Sequence, residues 1–423
     1  MSMETVRATY EIETALDLEK VAATIANEQS SGTFVKVARE TAQLRERYAA
    51  RVVGITELEP SGRPPLPGAS GDWSRARRAR VEVDFPLHNM GPSIPNLLAA
   101  VAGNLFDLRE VGALRLVDLD LPHAFAERYP GPQFGVRGTR ELVGRPEGAL
   151  LGTIVKPSIG LSVTDLADLV SELAEAGIDF IKDDELNGNP PDAPLEARVA
   201  AVMPVLKRYA DRHGRMPMYA FNITDDISRL EANHDLVRDA GGTAVMVCVV
   251  TLGLAGVEHL RRRCELPIHG HRTMFGALSR SPQLGIDFLA FQRLARLCGV
   301  DHLHTNGIHN KFYESDEQVL RSIAAVREPL FGGYETLPVL SSGQSAALAH
   351  ETYAAVGTTD ILVMAGGGIH GHPMGSAAGV TSMREAWDAA VRGEPLLDRA
   401  ARVPELAAAL DLFAGRAPGA AQS

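Results

Sequence analysis

The chain has 423 residues and a formal net charge of -11, with 42 Lys and Arg against 53 Asp and Glu. That length exceeds one average domain and suits an eight-fold barrel joined to a smaller domain. Without any block of Lys or Arg, the acidic balance argues against a nucleic-acid or anionic-membrane surface, which needs clustered positive charge, and leaves a small molecule as the expected partner.

The first residues, MSMETVRATYEIET, carry acids where a secretory signal needs a basic region and a long apolar run, so a cytoplasmic location is expected. Strand-like VRATYEIE (6–13), a helix over 17–27, GTFVKVA (32–38), RVVGITEL (51–58), ARVEVDFP (79–86), a helix near 94–103 and ALRLVDLDL (113–121) follow. They imply an α+β domain of ferredoxin-like type over 1–135. The run PSGRPPLPGASG (60–71) reads as a loop, because Pro and Gly at that density support no regular element.

The remainder, 136–423, repeats one unit from about Leu150 onward: a short apolar run, a loop and an amphipathic helix. The runs are LLGTIVKP (150–157), DFIKDDE (179–185), MYAFNIT (218–224), TAVMVCVV (243–250), PIHGHR (267–272), DHLHTN (301–306), LPVLSSG (337–343) and DILVMAGGG (360–368). Eight such units predict an α/β chain whose second domain is a (β/α)8 TIM barrel, with catalytic groups at the C-terminal strand ends. Segments 162–176, 225–240 and 285–297 have the spacing of an outer helical ring packed on that barrel. The most apolar stretch, 244–257, is too short to span a bilayer and reads as a buried strand running into a helix. Cys248, Cys264 and Cys298, odd in number and set in apolar or helical segments, read as reduced thiols. The tail GRAPGAAQS (415–423) is expected to be disordered.

In DFIKDDE, Lys182 and Asp184 are two apart and project to one side of a strand, with Glu185 at its end. Two carboxylates suit a hard cation such as Mg²⁺, whereas a neighbouring ammonium repels it, so the lysine fits only after CO2 has converted it to an anionic carbamate. A solvated charge cluster at a strand end is the other reading. Gly366, Gly367 and Gly368 follow the eighth run, where N–H groups unobstructed by a Cβ can approach a phosphate; a tight turn is the alternative. Arg272 at the barrel mouth needs an anion to avoid an unpaired charge. If His271 and His304 face the mouth, His269 and His302, which alternate with them, are packing or supporting residues. Lys156, in VKP, is placed to move a proton at an enediolate carbon, or else snorkels from a strand end. Lys311, in GIHNKF, lies on a loop, where exposed lysines are common.

GTIVKPSIGLS (152–162), GIDFIKDDELNGNP (177–190), HGHRTM (269–274), DHLHTN (301–306), LPVLSSG (337–343) and AGGGIHGHP (365–373) together resemble ribulose-bisphosphate carboxylase, in the same order and on the right barrel strands. The resemblance implies Mg²⁺ on carbamylated Lys182, Asp184 and Glu185, with Lys156 as acid/base group and Lys311 as the mobile-loop lysine that contacts the carboxyl group. It implies phosphate binding by Gly343, Gly367 and Thr33, with Gly366 beside them. Arg272, His304 and Ser341, with His271 nearby, would hold a second anionic group or its vacant equivalent. Glu28 and Thr33, in NEQSSGTF (27–34), and Asn104, in AGNLF (102–106), would complete the site of a neighbouring subunit, so a homodimer or an assembly of dimers is implied.

The pattern departs from the carboxylases at Ser158 and Phe275, which stand where a second lysine and a second histidine belong, and at Phe34 and Ser342, which replace a tryptophan and a glycine. Loss of an ammonium and an imidazole points to the non-carboxylating branch of the family. Retention of Asn104, Lys156 and Lys311 suits decarboxylation of a branched β-keto acid phosphate, 3-oxo-isoapionate 4-phosphate. An enolase or isomerase of methionine salvage and a non-catalytic metabolite-binding barrel are the alternatives.

Overall fold

The computed structural model describes residues 4–32, 37 and 39–413. The chain forms two compact units, Met1–Tyr129 with Met274–Leu297, and Pro130–Thr273 with Cys298–Ser423. Strands are numbered in chain order. The first unit holds β1 (Thr5–Thr14), β2 (Arg51–Leu58), β3 (Arg77–Pro86), β4 (Ala113–Asp120) and β10 (Leu284–Ile286). The second holds β5 (Leu150–Ile154), β6 (Phe180–Lys182), β7 (Met218–Asn222), β8 (Ala244–Cys248), β9 (Ile268–His271), β11 (His302–His304), β12 (Leu337–Leu340) and β13 (Leu362–Met364).

In the first unit, β4, β1, β3 and β2 lie side by side in that order and antiparallel, the ferredoxin-like arrangement expected from the sequence. The period of two along β1 buries Val6, Ala8, Tyr10 and Ile12 on one face. Helix Leu18–Glu28 begins where Asp17 accepts from the Lys20 N–H at 2.9 Å, and it buries Leu18, Val21, Ala22 and Ile25. Segment 60–71 contains no helix or ladder strand, as expected. A short helix, Ala42–Tyr48, was not anticipated and buries no residue, so it carries no hydrophobic signal to read. Of the expected strand at 32–38, residues 33–36 and 38 lie outside the described residues, as does the tail 415–423.

One expectation is corrected. The segment 285–297 is not one outer-ring helix of the barrel. Its first residues belong to β10, which pairs in parallel with Leu114, Arg115 and Leu116 of β4, and the helix Phe288–Leu297 packs against β4 in the same unit. Arg293 donates to Asp118 at 2.8 Å, and Phe275, Phe288 and Phe291 form an aromatic cluster. An amphipathic period specifies a buried face but not which sheet covers it. Gly285 permits the excursion: its φ is +126°, and a Cβ there would lie 1.8 Å from the Leu278 carbonyl oxygen.

In the second unit the eight strands close into a parallel barrel in the order β11-β12-β13-β5-β6-β7-β8-β9, and each of the eight apolar runs contains one of them. Leu150, Phe180, Met218, Met246, Val339 and Met364 fill the interior. As read from the sequence, β8 runs directly into a helix, Val249–Leu252, and helix Val163–Glu175 is capped by Ser162, whose hydroxyl accepts from the Asp165 N–H at 3.1 Å. The three cysteines are free and buried. Among the described residues, no helix is long and apolar enough to cross a membrane.

Candidate active site

Phe180 lies in the barrel interior against the rings of His269 and His302. Two residues further along their strands, Lys182, His271 and His304 therefore face the same side, nearer the C-terminal mouth. Lys182 ends β6 with its side chain fully buried; its Nζ donates to the Asp183 carbonyl at 2.9 Å and lies 3.4 Å from Glu185 Oε2. Burial pushes the pKa of this amine down, against the pull of Glu185 and Asp184. Burial pushes the Glu185 carboxyl up, but Lys182 and the local hydrogen bonds outweigh it and hold the group below its ordinary value. Asp184 accepts from Lys156 Nζ at 2.7 Å on one oxygen and from the Leu186 N–H at 3.1 Å on the other. Lys156 also donates to Ser158 Oγ at 2.8 Å, so the residue replacing the carboxylases' second lysine helps hold the first.

Between the two acids of this site and Lys182 sits Asp183, which points the other way. It accepts from Tyr219 Oη at 2.6 Å and from the Asn222 N–H at 2.9 Å, and it pairs with Arg198 at 3.2 Å, both side chains fully buried. Arg198 in turn donates to the carbonyls of Ala193 and Gly188, while Asn222 Nδ2 donates to those of Asp184 and Glu185. These bonds pin the loop that presents the two candidate metal ligands. Sequence reading missed this support, although the alternation that put Lys182 and Asp184 together also put Asp183 opposite.

Among the described residues, no group of three His, Cys, Asp or Glu side chains stands ready to hold a metal. The donor set is instead two carboxylates and a buried amine. An uncharged amine is the form that adds CO2, and burial of Lys182 favours that form. The resulting carbamate would complete a set of hard oxygen donors, so these residues fit Mg²⁺.

Just beyond the end of β9, Arg272 is not unpaired. It makes a two-pronged ion pair with Glu314, whose side chain is 6% exposed. The inference that its charge demands a ligand anion is therefore corrected: the chain supplies the counter-ion itself. His269 and His302 are fully buried, His271 Nε2 lies 3.6 Å from Glu185, and His304 Nδ1 lies 3.1 Å from Ser341 Oγ. Ser342 sits at φ +71°, which explains a glycine at that position in the family, and its hydroxyl donates to Asn306 Oδ1 at 2.8 Å.

Gly343, with φ +99°, and Gly366 and Gly367 lie on the loops after β12 and β13. A Cβ on Gly366 would come within 3.7 Å of Lys156 Cε, and one on Gly367 would meet nothing within 4 Å, which leaves backbone N–H groups approachable beside Lys156. Lys311 is exposed after β11, its Nζ 5.4 Å from the Phe312 ring centre and its N–H donating to the Ser342 carbonyl at 3.2 Å. The barrel thus brings together Lys156, Lys182, Asp184, Glu185 and His271. Glu28, at the end of helix Leu18–Glu28, and Asn104, in a 3-10 turn, are exposed residues of the first unit, and Thr33 lies outside the described residues.

Comparison with known families decides the relationship. Residues 135–413 match the ribulose bisphosphate carboxylase large chain, catalytic domain, and residues 3–125 match its N-terminal domain. The chain belongs to the ribulose bisphosphate carboxylase large-chain family. Within this family it is similar to a 3-oxo-isoapionate-4-phosphate transcarboxylase/hydrolase of Xanthobacter autotrophicus, with 50% identity over 97% of this chain and 99% of that protein. It is 44% identical to a 3-oxo-isoapionate-4-phosphate decarboxylase of Rhizobium rhizogenes, over 96% of this chain and 97% of that one. The crystal structure of a rubisco-like protein from Burkholderia fungorum superposes with a TM-score of 0.90 at 45% identity, covering 97% of this chain and 100% of that one. Family members of known structure include a dimeric rubisco from Hyperthermus butylicus and an octameric one from Pyrococcus horikoshii.

Proposed function

We propose that this chain is a magnesium-dependent carboxy-lyase acting on 3-oxo-isoapionate 4-phosphate, and that it works as a homodimer in which Glu28, Thr33 and Asn104 complete the partner's site. The observation that carries the reading is the ion pair of Lys156 with Asp184 at 2.7 Å, an ammonium beside a two-carboxylate, one-amine metal site, in a chain 44% identical to a decarboxylase of that substrate. Asp184, Glu185 and the carbamate of Lys182 would hold the ion, which when bound supplies positive charge for the oxygens that become anionic as the carboxyl group departs.

The protein's own groups do the rest. Gly343, Gly366, Gly367 and Thr33 hold the phosphate. Lys311 meets the departing carboxylate, whose bond to carbon breaks and leaves its electron pair on the enediolate. Lys156, oriented by Asp184 and Ser158, delivers the proton to that carbon. His271, with its Nδ1 accepting from the Thr273 N–H at 3.1 Å, turns an N–H toward Glu185 and helps fix that carboxylate.

The 50% identity to a transcarboxylase/hydrolase favours a second reading, in which the carboxyl group is passed on rather than released. Turnover of substrate labelled with carbon-13 in the carboxyl group separates the two. The proposal expects the label in CO2 and bicarbonate. Label retained in a non-volatile product would establish the transcarboxylase, and proton exchange without loss of label would move the chain to the isomerases and enolases.

A further inference from the structure

Around Arg272, His304 and Ser341, several hydrogen-bond donors are turned inward. Arg272 Nη1 donates to Glu314 Oε1 at 3.1 Å and Nη2 to the other oxygen. Asn306 donates to the same carboxylate, and Asn310 Nδ2 holds the Glu314 carbonyl at 3.1 Å. A phosphate seeking the two prongs of Arg272 that face Glu314 would have to displace a carboxylate whose side chain is 6% exposed and strand it without its cation, which is a costly exchange.

The histidines can be assigned by counting protons. Thr139 Oγ1 donates to the Gly135 carbonyl and lies 2.8 Å from His302 Nε2, so that nitrogen carries the proton. His302 Nδ1 is then bare and accepts from His269 Nδ1 at 3.3 Å. His269 Nε2 is bare in turn and accepts from His304 Nε2 at 2.8 Å. His304 Nδ1 is left bare, 3.1 Å from Ser341 Oγ, and takes the hydroxyl proton. Each N···N contact holds one proton, so the chain closes with all three rings neutral, in keeping with their burial.

We infer that this side of the barrel mouth offers acceptors rather than donors and takes the uncharged, hydroxyl-bearing end of a substrate with one phosphate, and that Glu314 and Thr139 set this selectivity. Glu314 engages both terminal nitrogens of the guanidinium. Thr139, at the far end of the imidazole chain, fixes the tautomer that points the Ser341 proton inward. The Ser342 hydroxyl proton is likewise spent on Asn306. Neither Glu314 nor Thr139 touches the substrate in this account; both are positioning residues. The inference rests on the proposed sugar-acid phosphate reading and deepens it by specifying the end of the substrate away from the phosphate.

The test is calorimetric titration of the full chain, with Mg²⁺ and bicarbonate, by a pentitol monophosphate and the matching bisphosphate. The wild type should bind the bisphosphate no more tightly than the monophosphate, and Glu314→Gln should shift the ratio toward the bisphosphate by about tenfold. A wild-type preference for the bisphosphate of about tenfold or more overturns the inference, whether or not the variant folds. An unchanged ratio in a folded Glu314→Gln variant removes Glu314 from it. Nitrogen-15 shifts should show His304 protonated at Nε2 and bare at Nδ1 in the wild type and in Thr139→Ser, with loss of that single tautomer in Thr139→Val. The opposite wild-type tautomer overturns the proton assignment. A bisphosphate preference beside intact CO2 release sinks this inference alone, whereas binding of neither ligand sinks the phosphate-site reading as well.

Discussion

At the scale of single residues, the decisive contrast is between Lys182 and Arg198, two fully buried basic side chains on neighbouring elements. Arg198 faces Asp183 and is neutralised by it, so its work is structural. Lys182 faces Glu185 at 3.4 Å and has its charged form disfavoured by burial, so it is suited to chemistry. Replacing Arg198 by Leu leaves a buried carboxylate without its cation and should cost about 3–5 kcal/mol, measured by denaturant unfolding. Combining it with Asp183→Asn should cost less than the sum of the two changes, because the pair shares one interaction. Simple additivity would show that the pair does not hold the ligand loop. The Lys182, Asp184 and Glu185 grouping was legible because a strand's period of two needs only neighbouring letters. The pairing of Arg272 with Glu314 was not, since its partner stands 42 positions away on a loop and is chosen by tertiary contact.

At the scale of elements, β9 and β11 stack imidazoles where a barrel ordinarily carries aliphatic layers. Burial holds His269 and His304 well below the ordinary range and His302 at about 3. In the unfolded chain these groups take up protons near pH 6.5, whereas the folded chain refuses them until far lower pH. Since the unfolded state binds more protons in that interval, their contribution is fully favourable above about pH 6.5 and declines as pH falls toward the folded value, by about 1.4 kcal/mol per unit for each histidine. The melting temperature should therefore fall between pH 7 and 5, and His302→Asn should flatten that slope by about one histidine's share. An identical slope in the variant would show that His302 protonates freely in the fold. The alternation of His269 with His271 and of His302 with His304 could be read from sequence, and it separated inner from outer rings. Thr139 could not, because helix Gly135–Val143 precedes the first barrel strand and its side chain meets His302 across 163 positions.

At the scale of the whole molecule, repetition made the barrel readable: eight apolar runs, most of them turning polar at the C-terminal end, leave few alternatives to closure. Membership of a repeat unit by the segment 285–297 was the exception. Its amphipathic period resembled the outer helices, but Gly285 lets the backbone join the N-terminal sheet, and the apolar face follows it there. Placement of the chemistry at one end of the barrel follows from the parallel strands, which deliver Lys156, Lys182, His271, His304 and Ser341 to the same rim. The proposed mechanism requires a CO2-modified Lys182 to complete the metal site and turnover to depend on it. Carbon-13 NMR of the full chain equilibrated with labelled bicarbonate and Mg²⁺ measures this directly. One lysine carbamate signal should appear together with decarboxylation of the substrate, and both should be lost in Lys182→Met. Full turnover by that variant, or by the wild type with no carbamate signal, would contradict it.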